Sequence, residues 1–254
     1  MYVKNTAIVV AAGLCCLLTA GSAQSSPVNL RVQSSQRVLH ADKPQTVYLK
    51  IGLEGRSIAE RVTRAPINVA IVLDRSGSMS GEKLRQAKKA AIAAIERLNA
   101  RDIVSVVAYD DVVRVLVPAT KVSDKRQIYR AIRRLSAGNM TALFAGVSKG
   151  SREVRKFMSD NRVNRVVLLS DGLANIGPSS PDALASLGGS LLKEGISVTT
   201  IGLGLGYNED LMYQLATASD GNHVFVEHPK QLASIFDREF NEMMSVVAKD
   251  VHVT

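Results

Sequence analysis

Two short, mostly apolar segments, each followed at once by an aspartate, constrain the fold of this 254-residue chain most strongly. Residues 68–73 precede Asp74, and residues 165–170 precede Asp171. An apolar run of this length is typical of a strand buried on both faces, as in a parallel sheet covered by helices. The sequence therefore predicts that both aspartates lie at the carboxyl ends of central strands.

Strands and helices alternate along the rest of the chain, which is typical of βαβ units. Residues 83–99 carry apolar side chains at spacings of three and four, the pattern of an amphipathic helix. The other predicted strands are 103–109, 113–117, 196–201 and 223–226, and the other predicted helices are 125–135, 141–157, 182–193, 209–218 and 231–247. We expect the strands within 103–117 to pair as an antiparallel edge hairpin. The predicted fold class is α/β, with a Rossmann-like, doubly wound, mostly parallel sheet and flanking β segments.

The two ends of the chain differ from this α/β body. Residues 1–23 combine Lys4, an apolar run and a small-residue end, the layout of a secretory signal peptide, with an uncleaved anchor as the alternative. Residues 24–65 predict a β-rich N-terminal flank, with strands at 29–32, 37–39 and 46–51. Residues 250–254 alternate like the start of a C-terminal β segment, so we expect the body, 66–249, to be inserted between β segments.

The signal layout predicts an exported protein, periplasmic, secreted or at the cell surface. Both cysteines of the chain, Cys15 and Cys16, lie in the predicted signal. Cleavage after Ala23 would leave no thiol, so neither a disulfide framework nor a cysteine-ligated metal site is expected in the mature protein.

Polar side chains cluster at three places where the predicted elements end or begin. They are Asp74, Ser76 and Ser78 after the first central strand, Thr141 at the head of a helix, and Asp171 after the later strand. The carboxyl ends of parallel strands form one edge of a sheet, so these clusters are expected to converge. Carboxylates and hydroxyls are hard oxygen donors, which favours Mg²⁺, Mn²⁺ or Ca²⁺.

The pattern Asp-x-Ser-x-Ser, followed at a distance by a Thr and an Asp, resembles the metal-ion-dependent adhesion site (MIDAS) of the von Willebrand factor A family. The resemblance extends over about residues 66–247 and is nearest to exported bacterial forms. It implies that hydroxyls of Ser76, Ser78 and Thr141 hold the cation, with Asp74 and Asp171 binding directly or through water. It also implies a non-enzymatic module in which the metal bridges to an Asp or Glu carboxylate of a protein partner.

Each piece also has an ordinary structural interpretation. Taken alone, Asp-x-Ser-x-Ser is a common turn, Thr141 is a helix cap and Asp171 ends a strand. Gly202, Gly204 and Gly206 lack the full spacing of a dinucleotide loop and predict close strand-to-helix packing instead. Arg75, between two predicted ligands, is expected to point outward, either towards an acidic partner or into solvent.

Two other function classes stay open at this point. A metal-assisted phosphohydrolase is suggested by Asp74 at the end of a first strand. Such an enzyme would also need a Lys and a second Asp at the position that Ser76 occupies. A basic scaffold for an anionic polymer is suggested by the formal charge of +9. The basic residues are scattered without aromatic interleaving, which argues against nucleic acid and leaves association with an anionic envelope surface open. The sequence does not define an oligomeric state.

Overall fold

The computed structural model describes residues 28–35, 46–55 and 64–246. The chain divides into two compact units, with the boundary between Ile58 and Ala59. The predicted signal peptide and the predicted strands at 37–39 and 250–254 lie outside the described residues.

The first unit contains an antiparallel pair of strands, β1 (Val28–Ser34) and β2 (Leu49–Gly55). Leu30 lies opposite Leu53 in the register, and Val32 lies opposite Ile51, so the apolar side chains share one face of the ribbon. Two of the three strands predicted for the N-terminal flank are therefore present, although the second begins three residues later than expected.

The second unit is a six-stranded sheet with helices on both faces. Its strands lie in the order β5-β4-β3-β6-β7-β8, and every neighbouring pair is parallel except β4 and β5. Its strands are β3 (Ile67–Asp74), β4 (Ile103–Tyr109), β5 (Val113–Lys121), β6 (Val163–Ser170), β7 (Ser197–Leu203) and β8 (His223–Val226). Its helices are α1 (Glu82–Glu96), α2 (Lys125–Arg133), α3 (Leu143–Arg155), α4 (Pro181–Lys193), α5 (Glu209–Ala218) and α6 (Leu232–Met244). The predicted fold class and the antiparallel edge hairpin are confirmed.

Alternate residues of the central strand β3 face two separate apolar cores. Val69, Ile71 and Leu73 pack with α1, α2 and α6, whereas Ala70 and Val72 pack with α3, α4 and α5. Every residue of β3 is buried, as the continuous apolar run predicts for a strand covered on both faces.

Several element boundaries of the second unit differ from the sequence prediction by one to four residues. Strand β5 extends to Lys121 rather than to residue 117, because Ile103 and Val104 of β4 pair with Lys121 and Thr120 beyond an irregularity in the register. Helix α6 ends at Met244 rather than at residue 247.

Candidate metal centre

The carboxyl ends of the two central strands lie side by side. Strands β3 and β6 are parallel, with Leu73 opposite Leu169. Asp74 is therefore at the same edge of the sheet as Asp171, which follows β6 directly. The loop after β3, the loop before α3 and the loop after β6 converge at this edge, which we call the rim.

Asp74 is held inside the protein by three hydrogen bonds. Its carboxylate has no exposed surface; Oδ1 accepts from the backbone N–H of Ser76 at 2.7 Å, and Oδ2 accepts from the Ser170 hydroxyl at 2.6 Å. The Tyr109 hydroxyl, whose pKa burial raises well above its usual value, lies 3.3 Å from the same Oδ2. Burial also raises the pKa of the Asp74 carboxyl, despite the opposing hydrogen bonds from Ser170 and Ser76. A nearby cation would favour the ionised form of this carboxylate.

Three of the predicted ligand side chains form a connected chain of oxygens. The hydroxyl oxygens of Ser76 and Ser78 are 3.0 Å apart, and the Ser78 hydroxyl donates to Asp171 Oδ1 at 2.6 Å. Ser76 and Asp171 are buried, whereas Ser78 is exposed. The oxygen cluster therefore reaches solvent at Ser78.

Thr141 lies near the same cluster, in the loop before α3. Its backbone N–H donates to the side-chain oxygen of Asn175 at 2.8 Å, which ties this loop to the loop after β6. A Cβ built on Gly172 would lie 3.7 Å from the Thr141 hydroxyl and 3.3 Å from the Ser78 hydroxyl. Thr141 is not the N-cap of α3, because the N-cap residue is Ala142.

Lys83 joins the site, and the sequence reasoning missed it. It lies in the first turn of α1, and its Nζ is 2.5 Å from Asp171 Oδ2. Asp171 thus accepts from Ser78 through one oxygen and from Lys83 through the other. The available signal was positional, because a helix that follows a strand of a parallel sheet begins at the rim where that strand ends.

Arg75 does not point outward, so the sequence expectation for it is wrong. Its side chain is only 11% exposed; Nη2 is 2.5 Å from Asp110 Oδ2, and Nη1 donates to the Ser136 carbonyl at 3.0 Å. The buried carboxylate of Asp110 at the end of β4 offers a stronger partner than water, which explains the inward orientation. The Arg75 carbonyl also accepts from the Gly138 N–H at 2.6 Å, so the loop after β3 is joined to the loop before α3.

The donor set fits a hard divalent cation. Two neighbouring ligands of an octahedral Mg²⁺ with bonds of about 2.1 Å lie about 3 Å apart, and the Ser76 and Ser78 hydroxyls have that separation. Carboxylate oxygens that already accept one hydrogen bond keep a further lone pair for a cation or its water. Among residues 28–35, 46–55 and 64–246, no group of three His, Cys, Asp or Glu side chains is arranged to hold a metal, so a site here would depend on hydroxyls.

Gly202 and Gly206, for which close strand-to-helix packing was predicted, pack against loop residues instead. A Cβ on Gly202 would overlap the Tyr207 ring, and a Cβ on Gly206 would lie 3.5 Å from the Asp171 carbonyl. His223 of β8 is engaged nearby, with its ring nitrogens 2.9 Å from the Thr200 hydroxyl and 3.2 Å from the Tyr207 hydroxyl. These contacts fix the loop after β7 against the rim.

Comparison with known proteins agrees with this fold. Residues 68–238 match the family model described as the von Willebrand factor type A domain. An uncharacterized protein of Synechocystis sp. is 33% identical over 190 residues, which cover 75% of this chain and 44% of that protein. The structure of a von Willebrand factor type A protein from Catenulispora acidiphila superposes with a TM-score of 0.70 at 21% identity, covering 88% of this chain and 52% of the other.

A further solved structure carries a metal. Proximal thread matrix protein 1 from the mussel byssus, described with a zinc-occupied MIDAS motif, superposes with a TM-score of 0.57 at 18% identity. The match covers 70% of this chain and 48% of that protein. The present chain spans less than half the length of the Synechocystis relative.

Proposed function

The chain belongs to the von Willebrand factor type A domain family, and we propose that its rim binds a divalent cation that bridges to a carboxylate of a protein partner. Asp74, Ser76, Ser78, Thr141 and Asp171 would hold the cation, with Mg²⁺, Mn²⁺ and Ca²⁺ as the candidates. The observation that carries the proposal is the oxygen cluster formed by Ser76, Ser78 and Asp171 at separations of 3.0 and 2.6 Å. The zinc-occupied MIDAS of proximal thread matrix protein 1 supports it by analogy within the same fold.

The charge balance of the site favours an anionic ligand. Asp74 and Asp171 bring two negative charges, and Lys83 offsets one of them through its contact with Asp171. A divalent cation would reverse the sign and leave one net positive charge at the rim. Neutral hydroxyl ligands leave such a cation electrophilic, so an Asp or Glu side chain from outside would complete its shell.

Large apolar side chains next to the site support a protein as the partner. Met140, Leu173 and Leu205 are 53%, 60% and 89% exposed. Each lies in a loop that contacts the site: Met140 precedes Thr141, Leu173 follows Gly172, and Leu205 precedes Gly206. Exposed apolar groups around a polar centre are typical of protein–protein interfaces, in which they exclude water from the polar contact.

The burial and hydrogen bonds of Asp74 argue against the alternative of a phosphohydrolase. A phosphoryl-accepting carboxylate must reach a substrate, whereas Asp74 has no exposed surface and both of its oxygens accept hydrogen bonds. Lys83 supplies a cation that such an enzyme would need, but the enzyme would also need an Asp at the position that Ser76 occupies. We therefore propose a binding module rather than an enzyme.

Export is part of the proposal and depends on residues 1–23, which lie outside the described residues. Their secretory layout supports a periplasmic, secreted or cell-surface location, where a metal-dependent adhesion or assembly module would meet its partner. Within the described part of the chain, no helix is long and apolar enough to span a membrane.

A metal-dependent pull-down from cell-envelope extract tests the proposal. The protein and its Asp171→Ala variant are used as baits, each with Mg²⁺ and in metal-free buffer, and captured proteins are identified by mass spectrometry. We expect partners that appear only with the unchanged protein and Mg²⁺. Equal recovery in all four arms would refute metal-dependent binding and would favour the basic-scaffold alternative, whereas metal-dependent turnover of a generic phosphate ester would favour the enzyme.

A further inference from the structure

A second polar feature adjoins the proposed metal site. A cavity of about 130 Å³ is lined by Arg75, Arg114 and Arg134, by the Ser136 residue that accepts from Arg75, and by apolar side chains that include Leu116 and Ala131. A water molecule takes up about 30 Å³ in the liquid, so this volume is large enough for a carboxylate group. We call this feature the arginine pocket.

The arginine pocket lies at the same rim as the hydroxyl cluster. In the sheet register, Asp74 lies opposite Tyr109, and Arg114 lies opposite Ala108, the residue just before Tyr109. Arg75 belongs to both features, because it lines the pocket and follows Asp74 directly in the chain. The pocket and the proposed metal site therefore adjoin through Arg75.

The charge in the pocket is not balanced by the protein. None of the residues that line it is acidic, and only Arg75 has a carboxylate partner, Asp110. The guanidinium groups of Arg114 and Arg134 form no hydrogen bond or ion pair with any described residue, and both residues are exposed. The Arg75 Nε is buried and also has no hydrogen-bond partner in the described part of the chain. The exposed guanidinium N–H donors of Arg114 and Arg134 are thus available to an anion.

We propose that the arginine pocket binds a second carboxylate of the protein partner, so that the partner is recognised through two acidic side chains. One would complete the shell of the cation, and the other would pair with Arg114 and Arg134. This inference rests on the proposed metal-dependent function and adds a requirement to it, namely that the partner segment carries two acids at a defined separation.

Peptide binding tests the proposal without knowledge of the partner. Fluorescence anisotropy compares labelled, end-blocked glycine-rich peptides that carry one Glu with peptides that carry two Glu separated by a graded series of glycine spacers, all with Mg²⁺. We expect one range of spacers to bind about tenfold more tightly than the single-Glu peptide, the gain of one charge-assisted contact. The combined substitutions Arg114→Gln and Arg134→Gln should remove this gain and leave the single-Glu affinity unchanged.

The matched control removes the same charge elsewhere. Arg126 and Arg152 are exposed and do not line the pocket, so Arg126→Gln combined with Arg152→Gln should preserve the gain. Equal affinities of the one-Glu and two-Glu peptides at every spacer would overturn the proposal, and so would an equal loss in the control variant. Calorimetric binding of sodium sulfate that is lost in the Arg114→Gln and Arg134→Gln variant, without any gain from a second Glu, would assign the pocket to free anions instead.

The same measurements separate failure of the pocket from failure of the metal site. If metal-free buffer abolishes single-Glu binding but the second Glu adds nothing, the metal-bridging function stands and the arginine pocket is refuted. If metal-free buffer changes nothing but the Arg114→Gln and Arg134→Gln variant loses two-Glu binding, the pocket stands and the metal-bridging function is refuted.

Discussion

The Ser78 hydroxyl donates to Asp171 Oδ1 at 2.6 Å, although 93 residues separate the two in the chain. This contact joins the loop after β3 to the loop after β6. It brings a neutral hydroxyl and a carboxylate together at the one point where the oxygen cluster is exposed to solvent.

Removal of the Ser78 hydroxyl should weaken metal binding. The Ser78→Ala variant loses a proposed ligand and the hydrogen bond that orients Asp171, and loss of even an orienting group typically lowers metal affinity by about 10–100-fold. Calorimetric titration with Mn²⁺ measures the change. Ser80→Ala is the control, because Ser80 is an exposed serine of the same loop outside the cluster; equal affinities of the two variants would exclude Ser78 as a ligand.

Removal of the Lys83 ammonium should strengthen metal binding. Lys83 lies 2.5 Å from Asp171 Oδ2 and repels any cation held by that carboxylate. We expect Lys83→Met to bind Mn²⁺ about tenfold more tightly, the equivalent of about 1.4 kcal/mol. Lys89→Met removes the same charge from an exposed position of α1 and should have little effect. Weaker Mn²⁺ binding by Lys83→Met would instead identify Lys83 as a group that positions Asp171.

Alanine substitutions at two adjacent glycines of α4 should change the free energy of unfolding in opposite directions. A Cβ on Gly188 would lie 2.7 Å from the Leu215 carbonyl of α5, whereas a Cβ on Gly189 meets nothing within 4 Å. Overpacking should lower the free energy of unfolding of Gly188→Ala by about 1–3 kcal/mol. Better helix propensity should raise that of Gly189→Ala by about 0.5–1 kcal/mol. Urea denaturation checks both variants, and destabilisation by Gly189→Ala as large as that by Gly188→Ala would contradict a close contact between Gly188 and α5.

The Asp102 carboxylate should make stability depend on acid pH. Burial alone would raise its pKa, but hydrogen bonds from Arg64 and from the backbone N–H groups of Asn99 and Ile67 outweigh burial and hold the pKa below its usual value. A carboxylate with a lowered pKa stabilises the fold above its unfolded pKa of about 3.9, and this contribution disappears as the pH falls through the folded pKa.

Asp102→Asn should therefore cost about 3 kcal/mol of unfolding free energy at neutral pH, because it breaks a buried pair with Arg64. The difference from the unchanged protein should shrink as the pH falls below about 4. Exposed Asp111 gives the matched control Asp111→Asn, which should show no comparable loss. A difference that stays constant from pH 7 to strongly acid conditions would contradict the assignment.

Much of the fold was predictable because burial leaves a direct mark on the sequence. The apolar run before Asp74 predicted a strand covered on both faces, and the bounds of β4, α5 and β8 match the predicted ones. The extension of β5 to Lys121 was not predictable, because it depends on pairing with β4 across a register irregularity rather than on alternation within β5.

The convergence of the proposed ligands could be predicted from the sequence, but the hydrogen-bond network around them could not. The spacing of Asp74, Ser76 and Ser78 indicated one loop, and the topology brought Asp171 to the same edge of the sheet. The inward turn of Arg75 was missed because its cause, the buried Asp110 carboxylate, lies in the loop after the neighbouring strand β4. Such long-range side-chain pairs have no periodicity that a single sequence reveals.

Anomalous diffraction from crystals of the protein equilibrated with Mn²⁺ tests the central claim most directly. We expect one strong peak at the rim, at about 2.2 Å from the hydroxyl oxygens of Ser76 and Ser78, with Thr141 and Asp171 in its inner or water-bridged shell, and a weaker peak in crystals of the Ser78→Ala variant at the same limiting Mn²⁺ concentration. A Mn²⁺-saturated crystal with no peak at these hydroxyls, or with its peak elsewhere on the protein, would contradict the central claim.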